Sequence, residues 1–151
     1  MRFFVRCPLY ILRLTRSRLL RIPHIRRFRF ASKGLAVAPG RILDRTDPWT
    51  DALVNLSNRG RDVGKQVCLH THFNHPNEIS WITKAAARYL FKKGVIVRNQ
   101  SVLLKGINDS EQVMERLIKA LANMNIQPVS RFREPQDSGC LHAKLHVLDN
   151  L

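Results

Sequence analysis

The chain has 151 residues, of which 44% are hydrophobic, and its formal net charge is +15. This length and apolar content are ordinary for one globular domain with a real core. The three cysteines, Cys7, Cys68 and Cys140, lie far apart in sequence and form no CxxC pair. A disulfide framework is therefore excluded, and we expect a reducing compartment, cytoplasmic or mitochondrial, rather than secretion.

The positive charge is concentrated at the amino terminus. The first carboxylate is Asp44, and eleven Lys and Arg residues precede it. Such a segment has three interpretations: a mitochondrial presequence, a surface for nucleic acid or anionic lipid, or a solvated helix face followed by a strand. Arginines interrupt its apolar residues, so no run approaches the ~20 residues of a membrane-spanning helix.

The first half of the chain predicts a helix, a strand, a helix and a strand, at residues 8–21, 25–30, 49–63 and 66–71. The second helix has the strongest start signal, because Asp47 is a good N-cap and Pro48 fits the first helical position. Its apolar residues recur on one face: Trp49, Leu53 and Leu56. Gly64 marks its end.

The second half continues the alternation. A helix is predicted from its apolar residues Ile79, Ile82, Ala86 and Leu90, with Gly94 as the stop signal. Residues 95–97 are β-branched and predict a short buried strand. Asp109 is the predicted N-cap of the next helix, with Gln112 in the capping-box position and Val113, Leu117 and Leu121 on its apolar face. A final strand at residues 126–132 is weakened by Pro128.

Strands near residues 66, 95 and 126 are separated by about thirty residues, which is the length of one βαβ unit. The crossovers should be right-handed. We therefore predict an α/β fold, an incomplete parallel βα barrel of the TIM-barrel type with about four strands and crossover helices. Half a barrel leaves two strand edges open, and an oligomer or a partner chain that completes the barrel are the two ways to cover them.

A polar segment follows the strand at residues 66–71. Residues 70–78 read HTHFNHPNE, and the next strand is followed by Asn-Gln-Ser at residues 99–101. Because α/β folds place their chemistry at the carboxyl ends of parallel strands, these two segments are expected to meet at one site. There is no GxGxxG motif and no P-loop to hold nucleotide phosphates.

The residue types alone are compatible with three functions for this segment. His70 and His72 lie on the same side of a strand, as in a zinc amidohydrolase, although Arg98, Asn99 and Gln100 at the next strand end are poor zinc ligands. The histidines could also serve only as hydrogen-bonding residues at the start of a loop. The third use is recognition of a polar ligand that carries a carboxylate or a ribose.

The two segments also match a known family. HTHFNHPNE at residues 70–78 and NQSVLLKGIND at residues 99–109 closely resemble the lysine 2,3-aminomutase family of radical SAM enzymes, at matching separation. IPHIRRFRFASKG at residues 22–34 resembles the preceding strand of that family. The resemblance covers about residues 20–128. We therefore divide the chain into a basic helical N-terminal segment (1–21), a partial radical SAM barrel (22–132) and a tail that does not resemble the family (133–151).

The resemblance implies a βα barrel that binds S-adenosylmethionine, a [4Fe-4S] cluster and pyridoxal phosphate, and an isomerase that moves the α-amino group of L-lysine to the β-carbon. In such enzymes, the residues that match His72 and Gln100 lie at the S-adenosylmethionine site. Only these two roles carry over to this sequence. Small-molecule cofactors and an amino-acid substrate are the implied partners, whereas a nucleic-acid or imported protein remains the alternative based on residues 1–43.

Other family features are missing from the sequence. It has no CxxxCxxC motif to hold the cluster and no glycine-rich segment with a Schiff-base lysine, since Lys105, Lys119 and Lys144 lie in other contexts. Residues 140–146, CLHAKLH, belong to the unrelated tail and are not predicted to bind metal. We therefore expect no catalytic and no metal-binding residue, and no aminomutase activity from this chain alone.

Overall fold

The computed structural model describes residues 19–130. The predicted helix at residues 8–21 therefore lies almost entirely outside the described residues, and only a short 3-10 helix, Leu19–Arg21, is seen at its end. The tail at residues 133–151 lies outside them as well. No helix among the described residues is long and apolar enough to cross a bilayer.

Strands and helices alternate along the described chain. The strands are β1 (Arg27–Ala31), β2 (Gln66–Thr71), β3 (Ile96–Ser101) and β4 (Ile126–Ser130). The helices are α1 (Gly34–Val37), α2 (Gly40–Leu43), α3 (Pro48–Asp62), α4 (Trp81–Lys92) and α5 (Glu111–Asn123), and a second 3-10 helix spans Pro76–Glu78. The predicted order of the main elements is confirmed, while α1, α2 and the second 3-10 helix were not foreseen.

The four strands form one parallel sheet in the order β1-β2-β3-β4. The predicted α/β class, with four parallel strands and crossover helices, is therefore confirmed. Within residues 19–130, β1 and β4 each pair with a single neighbour, so this part of the sheet is open. Closure into a barrel is not established by the described strands.

The hydrophobic core lies between one face of the sheet and the helices. Leu53 and Leu56 of α3, which were predicted to share a face, are at most 1% exposed. The remaining core residues of the long helices and strands are Trp49, Ala86, Ala87 and Leu90, Leu117 and Leu121, and Phe30, Val67, Leu69, Val97 and Ile126. Burial of these apolar side chains is the main stabilising term for the fold.

Helix starts follow the sequence at α3 and differ at α5. The Asp47 side chain accepts a hydrogen bond from the Trp49 N–H at 2.9 Å, which confirms the predicted cap. At α5 the prediction was wrong: Ser110 is the N-cap, and its hydroxyl accepts from the Val113 N–H. Asp109 instead accepts from the Gly106 N–H at 2.9 Å, because its carboxylate closes the preceding turn.

Two strands differ from their predicted bounds, and the first is β1, which was placed at residues 25–30 and is observed at Arg27–Ala31. β3 was placed at residues 95–97 and is observed at Ile96–Ser101, because its polar carboxyl end continues the ladder with β4. β4 keeps Pro128, which has no N–H to donate, and β4 lies at the edge of the described sheet, where proline is tolerated. Gly94, with a φ of +74°, follows the end of α4 as predicted.

Candidate ligand-binding site at the carboxyl edge of the sheet

The carboxyl ends of β2 and β3 lie side by side. Thr71 at the end of β2 is the register partner of Asn99 in β3. The segments that follow these two positions therefore leave the sheet at the same edge, as the sequence predicted. The two predicted site residues are the next ones in sequence: His72 follows Thr71, and Gln100 follows Asn99.

Alternation of side chains separates this edge into two faces. Thr71, Phe73 and Asn99 are at most 1% exposed and belong to the face that packs on the helices. His72 and Gln100 are half-buried and alternate with them, so they belong to the opposite face. The two candidate residues are thus on the same side of the sheet, outside the helix-covered core.

His72 and Gln100 are in direct contact. The His72 Nδ1 atom lies 3.0 Å from the backbone carbonyl oxygen of Gln100. A carbonyl oxygen only accepts hydrogen bonds, so Nδ1 must carry the proton in this contact. When the ring is neutral, Nε2 is left as an acceptor for a ligand hydroxyl or amino group, and the Gln100 carboxamide supplies both a donor and an acceptor nearby.

Asn99 fixes the backbone from which His72 projects. Its carboxamide oxygen accepts from the Phe73 N–H at 2.6 Å, and its nitrogen donates to the Phe73 carbonyl at 3.0 Å. The Ser101 hydroxyl adds a hydrogen bond to the same carbonyl at 2.9 Å. The buried side chain thereby acts as one more strand partner and holds the peptide of Phe73 in place.

Glu78 organises the loop that follows β2. One of its carboxylate oxygens accepts from the Asn74 N–H at 2.9 Å and the His75 N–H at 3.1 Å. His75 Nδ1 accepts from the Asn77 N–H at 3.2 Å, so the ring caps the 3-10 helix. Among the three histidines, His75 therefore has the local hydrogen-bonding role that was left open in the sequence.

The loop after β3 is tied to the loop after β2 by Asn108, which is fully buried. Its side-chain nitrogen donates to the Asn74 carbonyl at 2.7 Å and to the Val102 carbonyl at 2.9 Å, and its oxygen accepts from the Leu104 N–H at 2.6 Å. Asn74 in turn accepts from the Val102 N–H. Sequence reasoning missed Asn108, and the only available signal was an Asn-Asp pair in a predicted turn.

His70 is 4% exposed, and among the described residues its Nδ1 atom has no hydrogen-bond partner. Burial lowers the pKa of His70, and the positive charges of Arg29, Arg98 and His72 lower it further. Burial also raises the pKa of the Cys68 thiol, although Arg98 and Arg29 partly oppose this shift. Both side chains therefore favour their neutral forms.

These surroundings disfavour the zinc hypothesis for His70 and His72. Residues 19–130 contain no group of three His, Cys, Asp or Glu side chains that could hold a metal ion. Two guanidinium groups act on His70 and would repel a divalent cation near its ring. Cys7 and Cys140 lie outside the described residues.

Comparison with known proteins finds several relatives, and those described here are all named as 2,3-aminomutases. The L-lysine 2,3-aminomutase of Clostridium subterminale is 38% identical over 87% of this chain and 29% of its own length. That of Acetoanaerobium sticklandii is 38% identical over 90% of this chain and 30% of its own length. Glutamate 2,3-aminomutase of Clostridioides difficile is 34% identical over 89% of this chain and 29% of its own length. No protein-family model matches the sequence. The chain thus spans less than a third of these relatives.

Proposed function

Since this chain belongs to the lysine 2,3-aminomutase family over a region equal to about a third of those proteins, we propose that residues 22–132 form part of a radical-SAM-type βα barrel that binds S-adenosylmethionine. The contact between His72 and Gln100 at the carboxyl edge of the sheet carries this proposal. Both residues were predicted from the family resemblance, and they lie together on the sheet face opposite the described helices.

Each residue has a definite role in this proposal. His72 offers Nε2 as an acceptor for the ribose hydroxyls or the amino group of S-adenosylmethionine, because its Nδ1–H is already donated to the Gln100 carbonyl. The Gln100 carboxamide provides a second, directional contact with the same ligand. Asn99 and Asn108 do not touch the ligand; they hold the two loops so that His72 and Gln100 stay in register.

The described residues do not fit the other two cofactors of the family. A cluster ligand must be a thiolate, whereas Cys68 is 5% exposed and burial raises the pKa of its thiol. Lys105 is exposed in a turn, and Lys119 is exposed and paired with Glu115. We therefore derive no step through a [4Fe-4S] cluster or pyridoxal phosphate.

It follows that the 151-residue polypeptide should not catalyse amino-group migration by itself. A complete enzyme of this kind would act on L-lysine in our proposal. The relative from Clostridioides difficile is named for glutamate, so substrate choice differs among the relatives. This chain should contribute a place for the adenosyl donor and not the groups that select the amino acid.

Titration calorimetry of the full chain with S-adenosylmethionine tests the binding proposal. His72→Ala and Gln100→Ala should each weaken binding by about tenfold or more, because each removes a hydrogen bond to a polar, partly charged ligand. His24→Ala and Gln112→Ala are matched controls at exposed positions and should leave the affinity unchanged. Equal affinities for all five proteins would contradict the assignment.

Iron and sulfide analysis after anaerobic reconstitution tests the second part. We expect no stoichiometric cluster on the wild-type chain and no difference between it and Cys68→Ser. About four irons per chain with a reducible cluster would overturn the proposed inactivity. This outcome would leave the S-adenosylmethionine site intact, so the two parts fail separately.

A further inference from the structure

A group of basic side chains occupies the sheet face opposite the core. Phe30, Leu69 and Val97 pack into the core, so their strand neighbours Arg29, His70 and Arg98 belong to the other face. The register places His70 of β2 beside Arg98 of β3, and Arg29 of β1 lies opposite Cys68, two residues before His70. Three neighbouring strands thus each contribute one basic side chain to the same area.

The guanidinium groups of Arg29 and Arg98 have no acidic counterpart among residues 19–130. The ion pairs in this part of the chain involve Lys33, Arg41 and Lys119, and none involves Arg29 or Arg98. Arg98 Nε donates to the Gln127 side-chain oxygen at 3.1 Å, and its Nη2 lies 3.5 Å from the Gln66 side-chain oxygen. Both partners are neutral amides, so within residues 19–130 the positive charge of Arg98 is not compensated.

His70 adds an unused polar atom to this area. The side chain is more than nine-tenths buried, and its Nδ1 has no hydrogen-bond partner among the described residues. Buried polar atoms in folded proteins are nearly always paired, so this Nδ1 atom calls for a partner other than residues 19–130. Both guanidinium groups act electrostatically on this ring, and so does His72. An anion beside His70 would satisfy the ring and both arginines together.

We propose that Arg29, His70 and Arg98 form an oxyanion-binding site that takes the carboxylate or phosphate group of a small ligand. Guanidinium groups bind such groups in a forked geometry, and a protonated imidazole adds a charged donor. The site lies on the same face as His72 and Gln100 but uses different residues. It does not depend on S-adenosylmethionine binding, and either proposal can fail while the other stands.

The probe is inorganic phosphate, titrated into the full-length chain while the His70 ring is followed by NMR and assigned by comparison with His70→Gln. The titratable and charged groups around the ring are Arg29, Cys68, His72 and Arg98. We expect a saturable change at His70 and a higher pKa for its imidazole, because a bound negative charge favours the protonated ring. Acetate in a parallel titration separates a carboxylate site from a phosphate site.

Charge-matched variants decide whether the response is specific. Arg98→Gln should weaken phosphate binding by about tenfold or more, and Arg29→Gln, at an exposed strand position, should weaken it in the same direction if Arg98→Gln fails to fold. Arg88→Gln removes the same charge from an exposed position on α4 and should change nothing. The proposal would be overturned if Arg88→Gln weakened phosphate binding as much as Arg98→Gln does. It would also be overturned if neither phosphate nor acetate changed the NMR signals of the His70 ring.

Discussion

Among single residues, buried amides position the site and half-buried groups are available to a ligand. Asn99 and Asn108 are at most 1% exposed, and their side-chain amides form hydrogen bonds with backbone groups of the two loops. Removing either amide would leave buried peptide groups unpaired, at a cost of about 1–3 kcal/mol per group. His72 uses its Nδ1 atom in this way, toward the Gln100 carbonyl, and keeps Nε2 for a ligand.

Acid should destabilise the fold through His70. Its pKa in the folded protein lies below the ordinary value of 6.5, so the unfolded chain binds a proton first as the pH falls through that value. The free energy of unfolding should therefore fall from just above pH 6.5 down to the folded pKa, below which the loss is complete. In His70→Gln this decline should be shallower.

Urea unfolding in a phosphate-free buffer, repeated about one pH unit above and below 6.5, measures the effect. His24→Gln, at an exposed position, is the matched control and should follow the wild type. If His70→Gln has the same pH dependence as the wild type, the ring is not held neutral by the fold.

The sequence was sufficient to predict that His72 and Gln100 meet, because that follows from two adjacent parallel strands ending at one edge. It was not sufficient to predict the roles of Asn99 and Asn108. Their hydrogen bonds join backbone groups 26 and 34 residues away, and such pairings are decided only when the sheet has formed. Likewise, the cationic surroundings of His70 follow from strand register, which periodicity alone does not give.

Among the elements, the packing of α3 on β2 depends on a glycine. A methyl group at Gly60 would lie 2.6 Å from Val67 Cγ2 and 3.1 Å from the Lys65 carbonyl oxygen. Helix and strand therefore approach each other closely where β2 begins, and this approach sets the position of the strand that carries His70 and His72.

Gly60→Ala should destabilise the fold by about 1–3 kcal/mol through overpacking. Gly40→Ala is the matched control: Gly40 begins α2, nothing lies within 4 Å of an added methyl group, and its φ is not positive. That variant should be neutral or more stable by up to about 1 kcal/mol. Urea unfolding of both proteins checks the pair, and a Gly60→Ala protein as stable as Gly40→Ala would contradict the close approach.

Element boundaries were predicted best where a local signal stands alone. Asp47 and Pro48 act within one turn, and α3 begins where they indicate. At residues 109 and 110 two capping residues are adjacent, and the choice between them depends on the turn that Asp109 closes with Gly106. β3 extends beyond its apolar residues because β2 and β4 flank it, which is a tertiary effect.

For the whole molecule, the described part of the sheet has two edges, at β1 and β4, that each lack a second strand partner. Several large apolar side chains near the carboxyl edge and on α4 are more than one-third exposed: Val102, Leu103, Leu104, Ile107, Trp81 and Phe91. Open strand edges and exposed apolar groups both promote association. We expect a second copy or another chain to cover them.

The full chain should therefore associate with itself as its concentration rises, and its solubility should be poor. Size-exclusion chromatography with light scattering, over a range of concentrations, measures the molar mass directly. Trp81→Ser, at the most exposed of these aromatic side chains, should reduce association, whereas Trp49→Phe in the core should not. A monodisperse monomer with one sharp cooperative melt would contradict this expectation.

The position of the adenosyl donor is the central claim, and backbone-amide NMR during titration with S-adenosylmethionine tests it most directly. The largest chemical-shift changes should fall at residues 72–74 and 99–102, at the carboxyl edge of the sheet. An alternative binding site lies at the opposite edge of the sheet. It is an open cleft of about 260 Å³ lined by Ser57, Arg61, Gly64, Lys65, Gln66, Val67 and Ile96. Changes concentrated at that cleft, or no saturable change at all, would contradict the account.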